Sequence, residues 1–207
     1  MRIREPLSSA WPRLRDWAEV QLYELNERNH WLFRLYDWGN EIWAALVFRG
    51  VRRRAGEIDA RVPGSEDCCQ LRLLRPSDLE AFAGLLEKFD FKYLPPHSLD
   101  RRTAERSLRR SSYLPFGLFY EGELVGYLLV RLFFLRRAVT AIWSLRVAHN
   151  KGFSKGAGLV TSAFTRSEGL ADYITVPLDN IYSLKAAEGA GWNVVRKNRR
   201  FYVLLHE

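Results

Sequence analysis

Cysteine is nearly absent from this 207-residue chain: it occurs twice, and the two residues, Cys68 and Cys69, are adjacent. Adjacent cysteines cannot join distant parts of a fold, and two thiols do not complete a four-ligand zinc site. The sequence therefore argues against a disulfide-stabilised secreted domain and against a structural metal. Two thiols without a disulfide framework suit a reducing cytoplasm.

Long apolar segments are missing as well. The longest uninterrupted apolar run covers residues 42–48, whereas a bilayer-spanning helix needs about 20 apolar residues. The first residues, MRIREPLSSAWPRLRDW, include no apolar segment of the signal-peptide kind. We therefore expect a cytoplasmic protein that is either free or peripheral to a membrane surface.

The composition is that of a folded, basic protein. Apolar residues make up 47% of the chain, which is enough for one domain with a sizeable core plus an extension. The net charge of +8 comes from 26 arginines and only six lysines. A basic surface favours anionic partners such as a phosphorylated cofactor, a nucleotide-linked substrate, nucleic acid or an anionic membrane, but a solvated surface without a partner explains it equally well.

Residues 1 to about 55 are predicted to be helical. Apolar residues recur there at the three-and-four spacing of one helix face: Trp31, Leu32, Leu35, Trp38, Ile42, Trp43, Leu46, Val47 and Val51. We favour packing of this stripe on the main domain or on a second subunit. The alternative is a membrane interface, where Trp enters the headgroup region and Arg meets anionic lipid. Contact through residues 10–54 with a second copy or with a membrane surface is thus left open.

The chain turns polar between Arg54 and Asp67, where Pro63 and Gly64 disfavour regular structure. We predict a helical extension and linker at residues 1–67 and a domain at residues 68–207. Within the domain, strands and helices alternate. Strands are predicted at 70–74, 116–120, 124–134, 138–147, 173–176, 192–195 and 201–205, and helices at 78–89 (after Ser77 as N-cap), 98–111, 156–168 and 180–190. This order predicts an α/β sandwich with a mixed sheet.

Residues 144–164, SLRVAHNKGFSKGAGLVTSAF, predict a strand, a glycine-containing loop and a helix. Glycines allow a ligand to approach the backbone, and the free N–H groups and dipole of a helix N-terminus favour an anion. Lys155 adds a positive charge. The spacing of a nucleoside-triphosphate loop and the dinucleotide fingerprint are both absent. The segment predicts either a phosphate site or an ordinary tight turn.

The segment FSKGAG at residues 153–158 resembles the pyrophosphate loop of the GNAT N-acetyltransferase family, in which Arg or Gln is followed by two residues, Gly, one residue, and Gly or Ala. Gly156 and Gly158 match that pattern, whereas Phe153 departs from it. Three further segments resemble the family in the same order: LRLLRPSDLEAF at 71–82, PFGLFYEGELVGYLLV at 115–130 and DNIYSLKAAEGAGW at 179–192. The resemblance covers residues 70–205.

The resemblance implies an α/β fold with a mixed, mostly antiparallel sheet flanked by helices, preceded here by a helical extension. It implies an acyl-CoA-dependent N-acyltransferase that uses acetyl-CoA by default, or another acyl-CoA, without a metal. It also implies a V-shaped cleft whose cofactor-binding residues are Leu145, Arg146 and Val147 for the pantetheine arm, Phe153, Ser154, Lys155, Gly156, Ala157 and Gly158 for the pyrophosphate, and Asn180 and Ser183 on the other wall.

The catalytic groups do not follow the family's pattern. The tyrosine that commonly lies seven residues after the late Asn is replaced by Ala187, and residues 138–147 lack the usual Glu. His149, Tyr182 and His97 are the candidate catalytic residues, and Tyr173 is a further candidate proton donor. A histidine with an ordinary pKa near 6.5 would suit a general base. For each of these residues, a structural hydrogen-bonded role is the competing interpretation.

The acceptor is an amine whose identity stays open. If Arg101 and the loop containing His97 line the acceptor side, an anionic acceptor such as a nucleotide-linked amino sugar fits, because arginine binds phosphate in a fork. One alternative is a catalytically reduced acyl-CoA-binding or regulatory module, which Ala187 favours. Another is acylation of aminoacyl-tRNA or protein, although the aromatic interleaving typical of single-strand binding is not evident.

Overall fold

The computed structural model describes residues 18, 20–21, 24–25, 31–63, 68–89, 99–145 and 151–206. Its helices are α1 (Trp31–Val47), α2 (Arg49–Ala55), α3 (Leu79–Glu87), α4 (Arg101–Arg109), α5 (Phe153–Ser167) and α6 (Ile181–Gly189). Its strands are β1 (Asp59–Arg61), β2 (Cys69–Leu73), β3 (Tyr113–Tyr120), β4 (Glu123–Phe133), β5 (Arg137–Ser144), β6 (Ala171–Pro177), β7 (Trp192–Lys197) and β8 (Phe201–His206).

The strands form one sheet in the order β1-β2-β3-β4-β5-β6-β8-β7. Every neighbouring pair is antiparallel except β5 and β6, which are parallel and joined through α5. Glu121 and Gly122 connect β3 to β4, and both have positive φ, as a tight two-residue hairpin requires. The predicted fold class, a mixed and mostly antiparallel sheet flanked by helices with a helix at the N-terminal side, is confirmed.

Helices cover both faces of the sheet. On one face, α5 and α2 pack over a core that includes Phe48, Phe116, Leu128 and Phe153. On the other face, α3 and α4 enclose a second apolar cluster that includes Tyr127. A third, smaller cluster lies under α6.

The predicted starts of α3 and α4 are wrong. Pro76–Asp78 forms a 3-10 turn, so α3 begins at Leu79 and Ser77 is not its N-cap. The carboxylate of Asp78 organises this turn instead, because it accepts the N–H of Arg75 at 2.7 Å and binds the Arg72 guanidinium. Helix α4 begins at Arg101 after Asp100, whose Oδ1 accepts the N–H of Thr103 at 2.8 Å.

The segment predicted as a linker contributes to the sheet. Strand β1 pairs with β2 through Asp59↔Arg72, Ala60↔Leu71 and Arg61↔Gln70. Helix α2 and the segment after β1 also reach the core, since Val51 is 5% exposed and Val62 is 2% exposed. A three-residue strand is too short for a periodic pattern, which explains why the sequence did not reveal it.

Helix α1 lies with its polar side against the domain. Its buried residues are Asp37, Asn40 and Ala44. Eight of the nine residues of the predicted apolar stripe are exposed, and Leu46 has the largest exposed fraction, 77%; only Val51, in α2, is buried. Packing of this stripe on the main domain is therefore wrong, whereas packing on a second subunit stays a prediction. The physical reason is that the domain offers specific polar partners to Asp37, Glu41 and Asn40.

Candidate functional site

A cleft opens where the two parallel strands separate. Strands β5 and β6 pair only at Arg137↔Ala171, Ala138↔Asp172 and Val139↔Tyr173. Beyond those pairs β5 stays with β4 as far as Ser144, while β6 stays with β8 as far as Pro177. The two strands thus form the arms of a V whose vertex is the Val139↔Tyr173 pair.

Both helices that follow these strands begin at the mouth of the V. Helix α5 comes after β5 and α6 after β6, so their N-termini lie beyond the carboxyl ends of two neighbouring parallel strands, where α/β sheets commonly bind ligands. The N-cap of α5 is Gly152, which has φ of 75° and supplies no side-chain cap. The first-turn N–H groups of Phe153, Ser154 and Lys155 therefore have no acceptor within the helix. Such a turn suits a phosphate group.

Phe153 belongs to the core. Its side chain is fully buried, and its ring centroid lies 5.3 Å from that of Tyr120. An apolar residue at this position anchors the start of α5 on the sheet, where a long polar side chain would be buried. Only the backbone N–H of Phe153 is available to a ligand at the mouth.

The motif glycines lie inside α5, which begins three residues before the predicted start at Gly156. The N–H of Gly156 donates to Gly152 O at 2.9 Å, and those of Ala157 and Gly158 fall within the regular helix. A Cβ on Gly156 would lie 2.3 Å from Pro63 O, and one on Gly158 would lie 2.8 Å from Trp192 Cη2. Close packing explains both glycines, so the first-turn amides of residues 153–155 are the better candidates for phosphate contacts.

Two lysines flank the mouth of α5. Lys155 is exposed on the first turn. Lys151 lies just before the N-cap, with its Nζ 3.3 Å from Tyr120 Oη and 4.6 Å from the Tyr120 ring centroid. Neither Lys151 nor Tyr120 is among the site residues predicted from the sequence. The signal was available, because two of only six lysines in the chain fall on either side of Gly152.

The second wall of the cleft begins at Asn180. Its Oδ1 accepts the N–H of Ser183 at 3.2 Å and caps α6, which confirms that this Asn opens a helix. Ser183 is exposed, and the side chain of Tyr182 is 90% exposed. Ala187 instead points into the small cluster beneath α6, with Trp192 as a neighbour in that cluster.

Leu145 donates its N–H to Val125 O at 2.8 Å, on the β4 side of the strand. The backbone N–H and C=O groups of successive residues in a strand point to opposite sides. Because those of Leu145 point toward β4, the groups that point into the cleft belong to the alternate residues of β5, such as Ile142. Arg146, Val147 and His149 lie outside the described residues, as does His97.

A buried carboxyl group at the vertex connects β5, β6 and α5 by hydrogen bonds. Asp172 on β6 accepts the hydroxyl of Thr140 on β5 at 2.7 Å and the hydroxyl of Ser162 on α5 at 2.6 Å. Burial raises the pKa of Asp172, and the hydrogen bonds from Ser162 and Thr140 oppose that rise. With 1% of its surface exposed, Asp172 links three elements and is inaccessible to a substrate.

The opposite face of the vertex carries Tyr173. The guanidinium carbon of Arg137 lies 6.0 Å from the centroid of the Tyr173 ring. The cleft segments at residues 140–145 and 173–177 contain no His, Asp or Glu, so these two arms supply no ordinary general base.

The described residues contain no group of three or more His, Cys, Asp and Glu side chains able to hold a metal ion. None of the helices in the described part of the chain is both long and apolar enough to cross a bilayer.

Solved structures share this fold. The GNAT domain of S. lividans PAT is 14% identical with a TM-score of 0.61, and the match covers 72% of this chain and 94% of that chain. The PaiA N-acetyltransferase from Thermoplasma acidophilum, solved in complex with coenzyme A, is 14% identical with a TM-score of 0.58 over 67% of this chain and 98% of that one. Mycobacterium smegmatis RimJ, in complex with CoA-disulfide, is 18% identical with a TM-score of 0.55 over 72% and 84%.

No protein-family model and no curated protein sequence matches the chain. The solved structures confirm the resemblance to the GNAT family at the level of the fold: this chain has the GNAT fold.

Proposed function

We propose that the protein is an acyl-CoA-dependent N-acetyltransferase that transfers an acetyl group to an amine. The observation that supports this most is the separation of β5 and β6 beyond Val139↔Tyr173, with an uncapped helix N-terminus at the mouth of the V. The same fold occurs in two neighbours solved with coenzyme A or CoA-disulfide.

The residues present fit the donor. The first-turn amides of residues 153–155 would bind the diphosphate, with Lys155 and Lys151 adding positive charge. The backbone of β5 around Ile142 would pair with the amide groups of the pantetheine arm, and the start of α6 at Asn180 would form the other wall. When bound, acetyl-CoA supplies an activated acyl thioester, and the protein holds that group beside the acceptor. Such positioning can supply much of the rate.

The acceptor would approach from the face of the sheet opposite α5. Helix α5 fills one face at the vertex, where Ser162 and Asp172 are buried together. The other face carries Tyr173 and Arg137, which favours Tyr173 over the exposed Tyr182 as the group that would protonate the leaving thiolate. His149 and His97 stay candidates for the general base.

An anionic acceptor, such as a nucleotide-linked amino sugar, needs a cation beside the amine. Arg101 is a weak choice because Glu80 holds its guanidinium at 2.6 Å, and Glu105 lies 3.6 Å away. Arg137 is a better choice, since its guanidinium carbon lies 6.0 Å from the centroid of the Tyr173 ring. Aminoacyl-tRNA and protein amines remain alternative acceptors.

A second candidate function is an acyl-CoA-binding module without turnover. It is favoured by Ala187, which is 8% exposed within an apolar cluster and can donate no proton, and by the lack of a carboxylate or histidine on the two cleft arms.

Calorimetric titration with acetyl-CoA tests the proposal, together with coenzyme A and ATP as controls. In a separate unfolding experiment, acetyl-CoA at about 100 times its Kd should raise the free energy of unfolding of the protein by about 2.7 kcal/mol. Lys155→Glu should weaken acetyl-CoA binding about tenfold, or about 1.4 kcal/mol. Arg166→Glu, at an exposed position in the last turn of the same helix, should not weaken it. Absence of binding would contradict both candidate functions.

Release of coenzyme A in the presence of a panel of amines separates the two candidates. The transferase predicts release, and Tyr173→Phe should lower kcat while leaving the Kd for acetyl-CoA unchanged. Tight binding without release over the whole panel supports the binding module instead.

A further inference from the structure

Helix α1 presents an apolar face to solvent. We define this apolar face by its eight exposed members: Trp31, Leu32, Leu35, Trp38, Ile42, Trp43, Leu46 and Val47. Their exposed fractions run from 41% to 77%, which is unusual for so many large apolar side chains on one helix. Phe134, on the turn after β4, lies beside this face, with its ring centroid 5.6 Å from that of Trp43.

The orientation of α1 is fixed by its opposite side. Asp37 forms ion pairs with both Arg110 and Arg131. The amide Nδ2 of Asn40, which is fully buried, donates to Leu132 O at 2.9 Å, and Glu41 accepts the hydroxyl of Ser112 at 2.6 Å. Turning the apolar face inward would bury tryptophans and remove these partners from several charged groups. The face is therefore held outward by the fold.

The charges around the apolar face are of one sign. Both acidic residues of α1, Asp37 and Glu41, are directed toward the domain. The ionisable residues exposed on α1 and α2 are all arginines: Arg34, Arg49, Arg53 and Arg54. Of these, Arg54 binds Glu168, whereas no ion partner lies against the other three within the part of the chain that the structure describes.

A basic depression lies at the junction of α1 and α2, and none of the eight residues of the apolar face lines it. This depression has a volume of about 350 Å³, and its lining includes Arg49 and Arg53 together with the apolar residues Ala45 and Phe48. The exposed Arg49 and Arg53 thus follow the last two residues of the apolar face, Leu46 and Val47, along the chain. Arginine at a boundary between an apolar surface and water can bind a phosphate in a fork while its stem stays on the apolar side.

The geometry points to a bilayer surface containing anionic phospholipid as the partner of this face. We propose that α1 lies in the plane of the membrane, with the apolar face at the boundary of headgroups and acyl chains and with Arg49 and Arg53 binding lipid phosphates. The helix of 17 residues is about 25 Å long and has one polar side, which suits an interfacial position. Exposed Trp and Arg are the residue types enriched at membrane interfaces.

A second copy fits the same face less well. Two copies docked through their apolar faces would bring together arginines from both chains, and the described part of α1 and α2 offers no exposed carboxylate to pair with them. An anionic lipid surface supplies the missing charge. The inference is independent of the proposed acyl transfer, because it rests on α1 and α2 alone.

Sedimentation with vesicles tests the proposal on the full chain. Vesicles of phosphatidylcholine mixed with phosphatidylglycerol should bind the protein and shift its Trp emission to the blue, and vesicles of phosphatidylcholine alone should bind at least about tenfold more weakly. Raising the salt concentration should weaken the binding.

Matched variants separate insertion from simple charge attraction. Trp38→Ser with Leu46→Ser keeps the charge and should weaken vesicle binding at least about tenfold, whereas Val194→Ser with Val195→Ser, on the exposed surface of β7, should have no effect. Arg49→Glu with Arg53→Glu should weaken binding about tenfold or more, whereas Arg102→Glu with Arg109→Glu on α4 should weaken it much less.

Three results would overturn the proposal. One is an absence of binding to anionic vesicles by the correctly folded protein. Another is equal loss from the α1 pairs and from their controls, which would indicate binding by net charge alone. The third is a dimer in light scattering that Leu46→Ser converts to a monomer, because the apolar face would then be a contact between copies.

Discussion

Helices α1 and α5 have similar lengths and lie against the same sheet, yet they present opposite sides to it. Helix α5 buries Phe153, Ala157 and small residues that let it approach the strands closely. Helix α1 buries Asp37 and Asn40 and leaves its apolar face in solvent. The difference teaches that an amphipathic pattern identifies two sides of a helix without identifying which side meets the domain. A polar side packs inward when the domain supplies partners for its charged groups, as it does here for Asp37 and Glu41.

The largest effect on stability is expected from a substitution that removes an apolar side chain of α5. Phe153→Ala deletes a fully buried ring beside Tyr120 and should lower the free energy of unfolding by about 4 kcal/mol, through lost burial and a cavity. Urea titration of the purified variant measures this change. A loss below about 1 kcal/mol would mean that the start of α5 does not pack as described.

The second prediction concerns the Asp37 carboxylate, which lies between α1 and the domain. Asp37→Ala leaves Arg110 and Arg131 without their shared carboxylate in a largely buried position, and it should cost about 3 kcal/mol. Glu80→Ala is the control, because it breaks the exposed ion pair with Arg101 and should have little effect. Equal stability of the two variants in urea would contradict the inward orientation of α1.

The third prediction concerns pH and the vertex of the cleft. Because burial raises the pKa of Asp172, the folded state binds this proton more tightly than the unfolded state does. The stability contributed by this group is present below the unfolded pKa, near about 3.9, and is lost as the pH rises through the folded pKa. Asp172→Asn does not titrate.

We therefore expect the free energy of unfolding of the native protein to fall relative to that of Asp172→Asn as the pH rises from about 4 toward neutrality. Urea titrations at a series of pH values give both curves. Curves that stay parallel across this range would show that the Asp172 carboxyl does not titrate as described.

The smallest effect on stability is expected from a substitution that removes an apolar side chain of α1. Leu46 is 77% exposed, so Leu46→Ala should change the free energy of unfolding by less than about 0.5 kcal/mol. Paired with Phe153→Ala, it compares apolar truncations on the two helices directly. A cost of 2 to 5 kcal/mol, typical of a core leucine, would place the apolar face against the domain after all.

Much of the domain could be predicted from local patterns. The Gly turn at Gly122 and the Asn180 cap depend on residues a few positions apart, and both lie where the sequence indicated. The partners of Asp37 could not be found in this way, because Arg110 and Arg131 lie 73 and 94 residues further along the chain. From the sequence alone, arginines such as these are predicted to be exposed, because the carboxylate that pairs with them lies far away along the chain.

The candidate site was predictable in position more than in detail. The segment 144–164 correctly indicated a strand, a glycine and a helix start, but Gly156 and Gly158 suggested a loop where the helix has already begun. The reason is distant packing: these glycines accommodate Pro63 and Trp192, which no local pattern connects to them. Of the three glycines in this segment, only Gly152 adopts the left-handed conformation that a glycine-rich turn implies.

The most direct test of the proposed donor site is amide hydrogen exchange with and without acetyl-CoA. The first-turn amides of Phe153, Ser154 and Lys155 have no acceptor in the helix and should exchange rapidly in the free protein. Bound acetyl-CoA should slow their exchange and that of β5 near Ile142, and should leave β1 and β7 unchanged. Calorimetric binding of acetyl-CoA without slower exchange at residues 153–155 would contradict the account, because the diphosphate would then bind elsewhere.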